Sequence, residues 1–185
     1  MATKQLRYKP QYYQKIRVSR GLRPVGEVFA MKFKGVGYIF GRVIRNDCAV
    51  APCQEPRPWK RRPGLYLVYI YKGVSKRISQ IPDLHRDNIL IPPAIIVGTG
   101  WSRGLFVPVR QESLTPTDVR PVHCFWQNGF LVRGENTIEY VDEYGNLLPG
   151  RTEPCKLDGV GDHGSLELDV ATALELPYKE WWVAE

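Results

Sequence analysis

The chain has 185 residues, of which 43% are hydrophobic and 24% charged, and its formal net charge is +7. This length and composition predict one globular domain with a substantial core and are not typical of a disordered protein. No stretch approaches the roughly 18 apolar residues of a membrane-spanning helix. The N-terminus also lacks the apolar run of about 7 to 15 residues found in a secretory signal. We therefore expect a cytoplasmic protein without a membrane partner.

The charge is unevenly distributed along the chain. Residues 1–25 contain seven Lys and Arg and no acid, whereas residues 151–185 contain eight acids and three bases. A basic protein is often a nucleic-acid binder, but here much of the excess positive charge comes from the N-terminal end of the chain. We divide the predicted single domain, 1–185, into a basic arm (1–24), a β-rich body (25–150) and an acidic segment with a helix (151–185). The two oppositely charged ends could touch in the fold.

The first predicted elements are the arm and a hairpin. Pro10 could open a short helix through Arg17, since proline suits a first helical turn. An ordered arm packed on the body and a mobile arm are the alternatives. Residues 25–33 and 36–44 then predict two strands around a Lys34-Gly35 turn. Both strands carry apolar residues on both faces, which favours a hairpin that is covered on both sides or curled into a barrel.

Further short strands follow the hairpin. The pattern predicts strands at 64–71, 89–97, 105–107, 122–126, 130–132 and 137–141, and a turn at 142–146. Pro92 and Pro93 cannot donate ladder hydrogen bonds, so they belong on a sheet edge or at a crossing between strands.

The acidic segment contains the best helix prediction. Ser165 could cap this helix, Glu167 and Asp169 would suit its first turn, and Pro177 would end it. We expect Trp181-Trp182 to pack the tail on the body. The fold prediction is mainly β, or α+β, with a strongly bent antiparallel sheet or SH3-like barrel and a C-terminal helix.

No motif in the sequence predicts catalysis, a metal or a cofactor. The glycines at 98, 100 and 104 miss the spacing of a dinucleotide-binding loop, and neither a nucleophile elbow nor a phosphate-binding loop is present. The four cysteines form no C-x-x-C pair, so we expect reduced structural cysteines and no zinc. The sequence therefore predicts that the protein is not an enzyme.

Two segments are candidate partner-binding sites. One is a loop stiffened by prolines, with four cations and one tryptophan: Arg57, Trp59, Lys60, Arg61 and Arg62. Arginine and tryptophan are enriched at protein interfaces, and cations with an aromatic ring also suit nucleic acid. A solvated loop is the third alternative. The other segment contains Trp101 and Arg103 between glycines, where Trp101 could instead fill the end of the core.

Several segments together resemble one known family of bacterial proteins. The resemblance spans residues 24–150. Each of its motifs is short, so the resemblance depends on the order in which the motifs follow one another. The segments are 25–30, 37–43, 81–84, 90–93, Gly100-Trp101-Ser102-Arg103-Gly104 with Phe106, His123-Cys124-Phe125-Trp126, and 140–146. In this order they resemble the immunity protein 26 family of polymorphic-toxin immunity proteins.

This resemblance implies a small cytoplasmic protein that binds and neutralises a cognate toxin. Such toxins are delivered between competing bacteria, and no catalytic residue comes with the family. The implied mechanism is occlusion of a surface that the toxin needs. The alternative function is a nucleic-acid-binding β-barrel module that uses the basic arm and the 57–62 loop. Nucleic acid is otherwise not an expected partner, and a barrel-type nuclease has no acid–base pair to support it.

Overall fold

The computed structural model describes residues 10–50, 60–128, 138–157 and 159–177. Within these ranges the strands form three sheets, and two helices accompany them. The elements are β1 (Tyr13–Gln14), β2 (Glu27–Phe33), β3 (Gly37–Arg45), β4 (Ala49–Val50), β5 (Lys60–Arg61), β6 (Leu65–Ile70), β7 (Ala94–Val97), α1 (Thr99–Ser102), β8 (Phe106–Gln111), β9 (Cys124–Asn128), β10 (Ile138–Val141), β11 (Cys155–Leu157) and α2 (His163–Ala173).

The largest sheet has six strands and is a strongly curled half-barrel. Its order is β1-β2-β3-β6-β7, with β8 also paired to β2, and all of its pairs are antiparallel. The register shifts between Val28 and Phe29 and between Val43 and Arg45. Such irregularities bend a strand and increase its twist. The predicted mainly β fold with a bent antiparallel sheet and a C-terminal helix is confirmed.

Both faces of this sheet are buried, as the hairpin pattern predicts. In β2, Phe29 and Met31 face one core while Val28 and Ala30 face the other, because successive strand residues point to opposite faces. The helix-side core includes residues of α1 and α2, and the sheet-side core includes Phe125 of β9 and Val141 of β10. The half-barrel therefore lies between a helical layer and the small sheet β10-β9-β11.

Two prolines precede the strand at one edge of the half-barrel. β7 is the last strand in the sheet order, and Pro92 and Pro93 come directly before it. This position agrees with the predicted edge, because an edge strand does not need every backbone donor.

The C-terminal helix begins earlier than the sequence predicts. Asp162, not Ser165, is its N-cap: Asp162 Oδ1 accepts hydrogen bonds from the backbone N–H groups of Gly164 and Ser165. Ser165 Oγ accepts a reciprocal bond from the backbone N–H of Asp162. The prediction was wrong by one turn because this capping box uses serine at its third helical position. Helix α2 ends before Pro177, as expected.

The described part of the arm is extended and packs on the body, so the alternative of a helix through Arg17 is wrong. Strand β1 pairs with the end of β2. The fully buried carboxylate of Glu167 in α2 accepts backbone hydrogen bonds from Gln11, Tyr12 and Tyr13, at 3.2, 2.7 and 2.7 Å. The sequence predicts Glu167 as a first-turn acid that suits the helix dipole, whereas in the structure its carboxylate holds the arm.

Two of the expected reduced cysteines are instead joined. Cys124 and Cys155 form a disulfide, and their Cα atoms are 4.7 Å apart. They are direct partners in the parallel pairing of β9 with β11, which a spacing of 31 residues does not reveal. Cys48 is free and buried, and burial raises the pKa of its thiol to about 12. Cys53, the predicted strand at 130–132 and Trp181-Trp182 lie outside the described residues.

Within the described ranges, neither helix has the length and apolar character needed to cross a bilayer. Those ranges also contain no cluster of three or more His, Cys, Asp or Glu suited to a metal ion.

Close packing at Gly41 gives a first prediction. An ideal Cβ at Gly41 would lie 2.4 Å from Phe29 Cζ and 2.8 Å from Ile70 Cδ1, whereas a Cβ at Gly150 would meet nothing within 4 Å. We expect Gly41→Ala to lower the free energy of unfolding by about 1 to 3 kcal/mol through overpacking. Gly150→Ala should change it by less than about 0.5 kcal/mol. Urea unfolding measures both, and equal effects would contradict the packing at Gly41.

Anchoring of the arm by Glu167 gives a second prediction. In Glu167→Gln, one side-chain oxygen becomes an NH₂ group that faces backbone N–H donors, so the arm should detach more often. We expect trypsin to cleave after Lys15, Arg17 and Arg20 about tenfold faster, since a bond to a charged group contributes about 1.5 to 3 kcal/mol. The control is Glu175→Gln, at an exposed position just after the same helix. Equal cleavage rates in the two variants would show that Glu167 does not hold the arm.

Candidate functional site

The described part of the basic loop lies on a short β ladder beside the end of β3. Lys60 and Arg61 of β5 pair with Val50 and Ala49 of β4. The backbone N–H of Arg62 then donates to Cys48 O at 3.1 Å. These bonds fix the backbone that presents Arg61 and Arg62. Arg57 and Trp59 lie outside the described residues, so their placement stays a prediction.

Arg61 is held in place although its side chain is 60% exposed. Its Nη1 lies 3.6 Å from Asp47 Oδ2, and its guanidinium carbon lies 3.9 Å from the centroid of the Tyr144 ring. A cation over an aromatic face is attracted by the ring quadrupole. Arg62 is exposed and makes no ion pair with a described residue. We call Arg45, Asp47, Arg61, Arg62 and Tyr144 the Arg61 surface.

A rigid turn supplies Tyr144. Asp142 Oδ1 accepts hydrogen bonds from the backbone N–H groups of Tyr144 and Asn146, at 2.8 and 2.9 Å, and Asp142 Oδ2 accepts one from Asn146 Nδ2. An aspartate that bonds backbone groups two residues on is typical of a tight turn. The predicted turn at 142–146 is therefore present, and it positions the ring on which Arg61 lies.

A buried polar chain lies beneath this surface. Glu143 Oε1 lies 3.6 Å from Arg45 Nε, and Glu143 Oε2 lies 2.9 Å from His123 Nδ1. His123 Nε2 is 2.6 Å from the hydroxyl of Tyr69, which also accepts the backbone N–H of Arg120 at 3.0 Å. Glu143, His123 and Tyr69 are buried. Buried polar groups that all have partners fix a unique geometry.

Electrostatics keeps two members of this chain, Glu143 and Tyr69, in one protonation state near neutral pH. Burial alone would raise the pKa of Glu143, but the hydrogen bond from His123 and the charge of Arg45 bring it below its ordinary value. Burial raises the pKa of Tyr69 to about 12. Glu143 is thus a carboxylate and Tyr69 a neutral phenol. Because the Tyr69 hydroxyl is fully buried, this triad positions the surface rather than meeting a substrate.

The structure buries Trp101 and leaves Arg103 exposed. The Trp101 side chain is 1% exposed and packs in the helix-side core, with ring centroids 4.9 Å from Phe29 and 5.0 Å from Phe106. It fills the end of the core, as its alternative interpretation predicts, and it has no surface to offer a partner. Arg103 is exposed and follows α1.

Sequence reasoning did not select several residues of this region. Arg45, Asp47 and Tyr144 come together only through the fold, since nearly 100 residues separate Asp47 from Tyr144. The available sequence signal for this region is the turn predicted over residues 142–146, which contains Asp142 and Asn146. The sequence shows His123 only within the segment His123-Cys124-Phe125-Trp126, which gives no sign of its buried role.

A comparison with known families identifies the body of the chain. A family model described as Immunity protein 26 matches residues 24–130, more than half of the chain. The chain belongs to the immunity protein 26 family. No curated protein and no solved structure matches it at a significant level.

The family match covers only part of the Arg61 surface and its buried support. Arg45, Asp47, Arg61, Arg62 and His123 lie inside the matched residues, whereas Glu143 and Tyr144 lie beyond them. In this immunity protein, residues outside the matched range therefore complete the Arg61 surface and its buried support.

A small cleft elsewhere does not compete with this surface. It lies between β7, β11 and α2, with a volume of about 220 Å³, and the ion pair of Lys156 with Asp169 forms part of its wall. Sites for drug-sized ligands usually measure about 300 to 1,000 Å³. The cleft is smaller than that range.

The lowered pKa of Glu143 gives a third prediction. A carboxylate whose pKa is lower in the folded state stabilises the fold above its unfolded pKa, about 4.3, and loses this contribution as the pH falls. We expect Glu143→Gln to lower the free energy of unfolding by about 1.5 to 3 kcal/mol at pH 7. The difference from wild type should shrink below about pH 4.

The control for this prediction is Glu153→Gln. Glu153 forms an exposed pair with Arg151, and such pairs contribute about 0 to 1 kcal/mol. Urea unfolding between pH 3 and 8, a range about the unfolded carboxyl pKa, makes the comparison. A Glu143 effect that does not change with pH would contradict a charged Glu143 in the core.

Proposed function

We propose that this member of the immunity protein 26 family binds a cognate protein toxin and neutralises it by occlusion. The family assignment over residues 24–130 carries the proposal. The toxin would belong to a polymorphic toxin system that acts between competing bacteria, and the immunity protein would work in the cytoplasm. The proposed inhibitor is not an enzyme and needs no metal or cofactor.

The Arg61 surface is the proposed toxin contact, with Arg57, Trp59 and Lys60 extending it. Arg61 is largely exposed, yet Asp47 and Tyr144 restrict its conformations. A restrained arginine loses less entropy on binding, and arginine is enriched among the residues that dominate interface affinity. The ladder of β4 with β5 and the buried Glu143 chain support the surface, so a partner meets a fixed shape.

The same geometry favours a protein partner over nucleic acid. Single-stranded nucleic acid binds through cations and exposed aromatic faces on which bases stack. One face of Tyr144 is covered by Arg61, and Trp101 is buried in the core. Tyr144 and Trp101 therefore offer little exposed ring surface on which a nucleic-acid base could stack.

Co-expression tests the proposed function and gives a fourth prediction. We expect the gene directly upstream of this chain to encode a large secreted protein, and the toxin probe is the C-terminal domain of that protein. We expect wild-type protein to restore growth of bacteria that express this domain and to bind it when both are purified. Arg61→Gln/Arg62→Gln should weaken binding by about thirtyfold or more, because hot-spot arginines contribute about 2 kcal/mol or more.

The matched control is Lys76→Gln/Arg77→Gln, which removes two adjacent exposed cations on another loop. If wild-type protein neither protects nor binds, the proposed function is wrong. If both double variants bind like wild type, toxin binding stands but the Arg61 surface is not the contact. Salt-dependent binding of a 20-nucleotide single-stranded RNA, without binding of the toxin domain, would replace the proposal with the nucleic-acid alternative.

A further inference from the structure

The docked arm places three neighbouring cations of its own near Arg103, which is distant from them in sequence. Lys15, Arg17, Arg20 and Arg103 are all exposed, and none makes an ion pair with any residue in the described ranges. We call these four residues the basic ridge. Three belong to the arm, outside the matched family range, and Arg103 belongs to the turn after α1. The ridge therefore exists only when the arm is in place.

Backbone contacts bring the arm to Arg103. Ile16 N donates to Gly104 O at 2.7 Å, and Ser19 N donates to Trp101 O at 3.0 Å. An ideal Cβ at Gly104 would lie only 3.1 Å from backbone atoms of Arg17 and Val18, so the arm crosses directly over this glycine. Lys15 and Arg17 flank Ile16, which packs against the sheet-side core. The two cations are thus left on the outside.

Arg23 fixes the position of Arg20 from inside. Its buried guanidinium donates to the carbonyl oxygens of Arg20 and Gly21, at 2.6 and 3.0 Å, and pairs with Glu27 at 3.4 Å. Gly21 has a φ of +96°, a conformation that favours glycine. The bend at 19–23 is therefore held, and it presents Arg20 at a defined position.

The arm that carries the ridge also passes beside segments next to the Arg61 surface. A Cβ placed on Gly64, which lies two residues after Arg62, would be 3.8 Å from Leu22 Cδ2, so the arm passes beside this glycine. Asn46 Nδ2 also donates to Arg23 O at 3.2 Å and joins the arm to the turn that holds Asp47. One partner could therefore cover both regions.

The described acids of the acidic segment do not pair with the ridge. Four of its five described acids are engaged elsewhere, since Glu153 pairs with Arg151, Asp162 caps α2, Glu167 holds the arm backbone and Asp169 pairs with Lys156. Among the described residues, none neutralises the charge of the ridge, which a partner can therefore meet.

We infer that the basic ridge binds an acidic face of the toxin, an inference that rests on the proposed function. Exposed apolar side chains lie among the cations, with Val18 at 41%, Leu22 at 64% and Val25 at 38% exposure. Apolar residues mixed with arginine suit a protein interface better than a phosphate backbone. The partner is therefore an acidic protein surface that also carries apolar residues.

The decisive variant is Lys15→Gln/Arg17→Gln/Arg20→Gln/Arg103→Gln. Its matched control is Lys34→Gln/Lys72→Gln/Lys76→Gln/Arg77→Gln, which removes four exposed cations outside the ridge and lowers the net charge equally. Association with the purified toxin domain is followed at several NaCl concentrations, and thermal unfolding confirms that both variants fold. We expect the ridge variant to associate at least about tenfold more slowly at low salt and to lose most of the salt dependence. The control should keep that dependence.

Each outcome decides between the proposals. If wild-type protein binds and the two variants associate equally, the ridge inference is wrong while the proposed function stands. If wild-type protein fails to bind the toxin domain, both are wrong. If the ridge variant binds the toxin like wild type but loses salt-dependent binding of a 20-nucleotide single-stranded RNA, the ridge is a phosphate site and the inference is overturned.

Discussion

Burial of both faces of the half-barrel is the constraint on which the rest of the structure depends. β2 places apolar side chains in two cores at once, so neither face can remain in water. One face is covered by α1 and α2, and the other by β9 and β10 with the loops around them. The C-terminal elements are therefore required by the apolar pattern of the first hairpin.

Two buried carboxylates then attach the outer segments to this body. Glu143 reaches from a turn beyond the matched family range to His123 within it, and Glu167 reaches from α2 to the backbone of the arm. A buried carboxylate is costly unless it is paired or well hydrogen-bonded, so each strongly favours one docked arrangement. The two surfaces proposed for partner binding depend on these attachments, because Tyr144 follows Glu143 and three of the ridge cations lie in the arm.

Local signals predicted much of the fold, whereas contacts distant in sequence decided the site. Apolar runs on either side of the Lys34-Gly35 turn predicted the β2–β3 hairpin, and Pro92-Pro93 predicted the edge at β7. Both signals depend only on neighbouring residues. The arm, the true role of Glu167 and the Cys124–Cys155 disulfide depend on segments that meet only in the folded chain. Trp101 shows the converse case. Tryptophan is a residue type common at interfaces, but the packing of Trp101 against Phe29 and Phe106 makes it a core residue.

The parallel pairing of β11 with β9 has a consequence for how this chain can be shortened. β9 ends within the matched range, but one of its two neighbours is β11, which lies 25 residues beyond that range. Cutting the chain at residue 130 would remove β10 as well as β11, so it would expose both hydrogen-bonding edges of β9 and leave Cys124 as a solitary thiol. The minimal folding unit of this protein is therefore longer than its family signature.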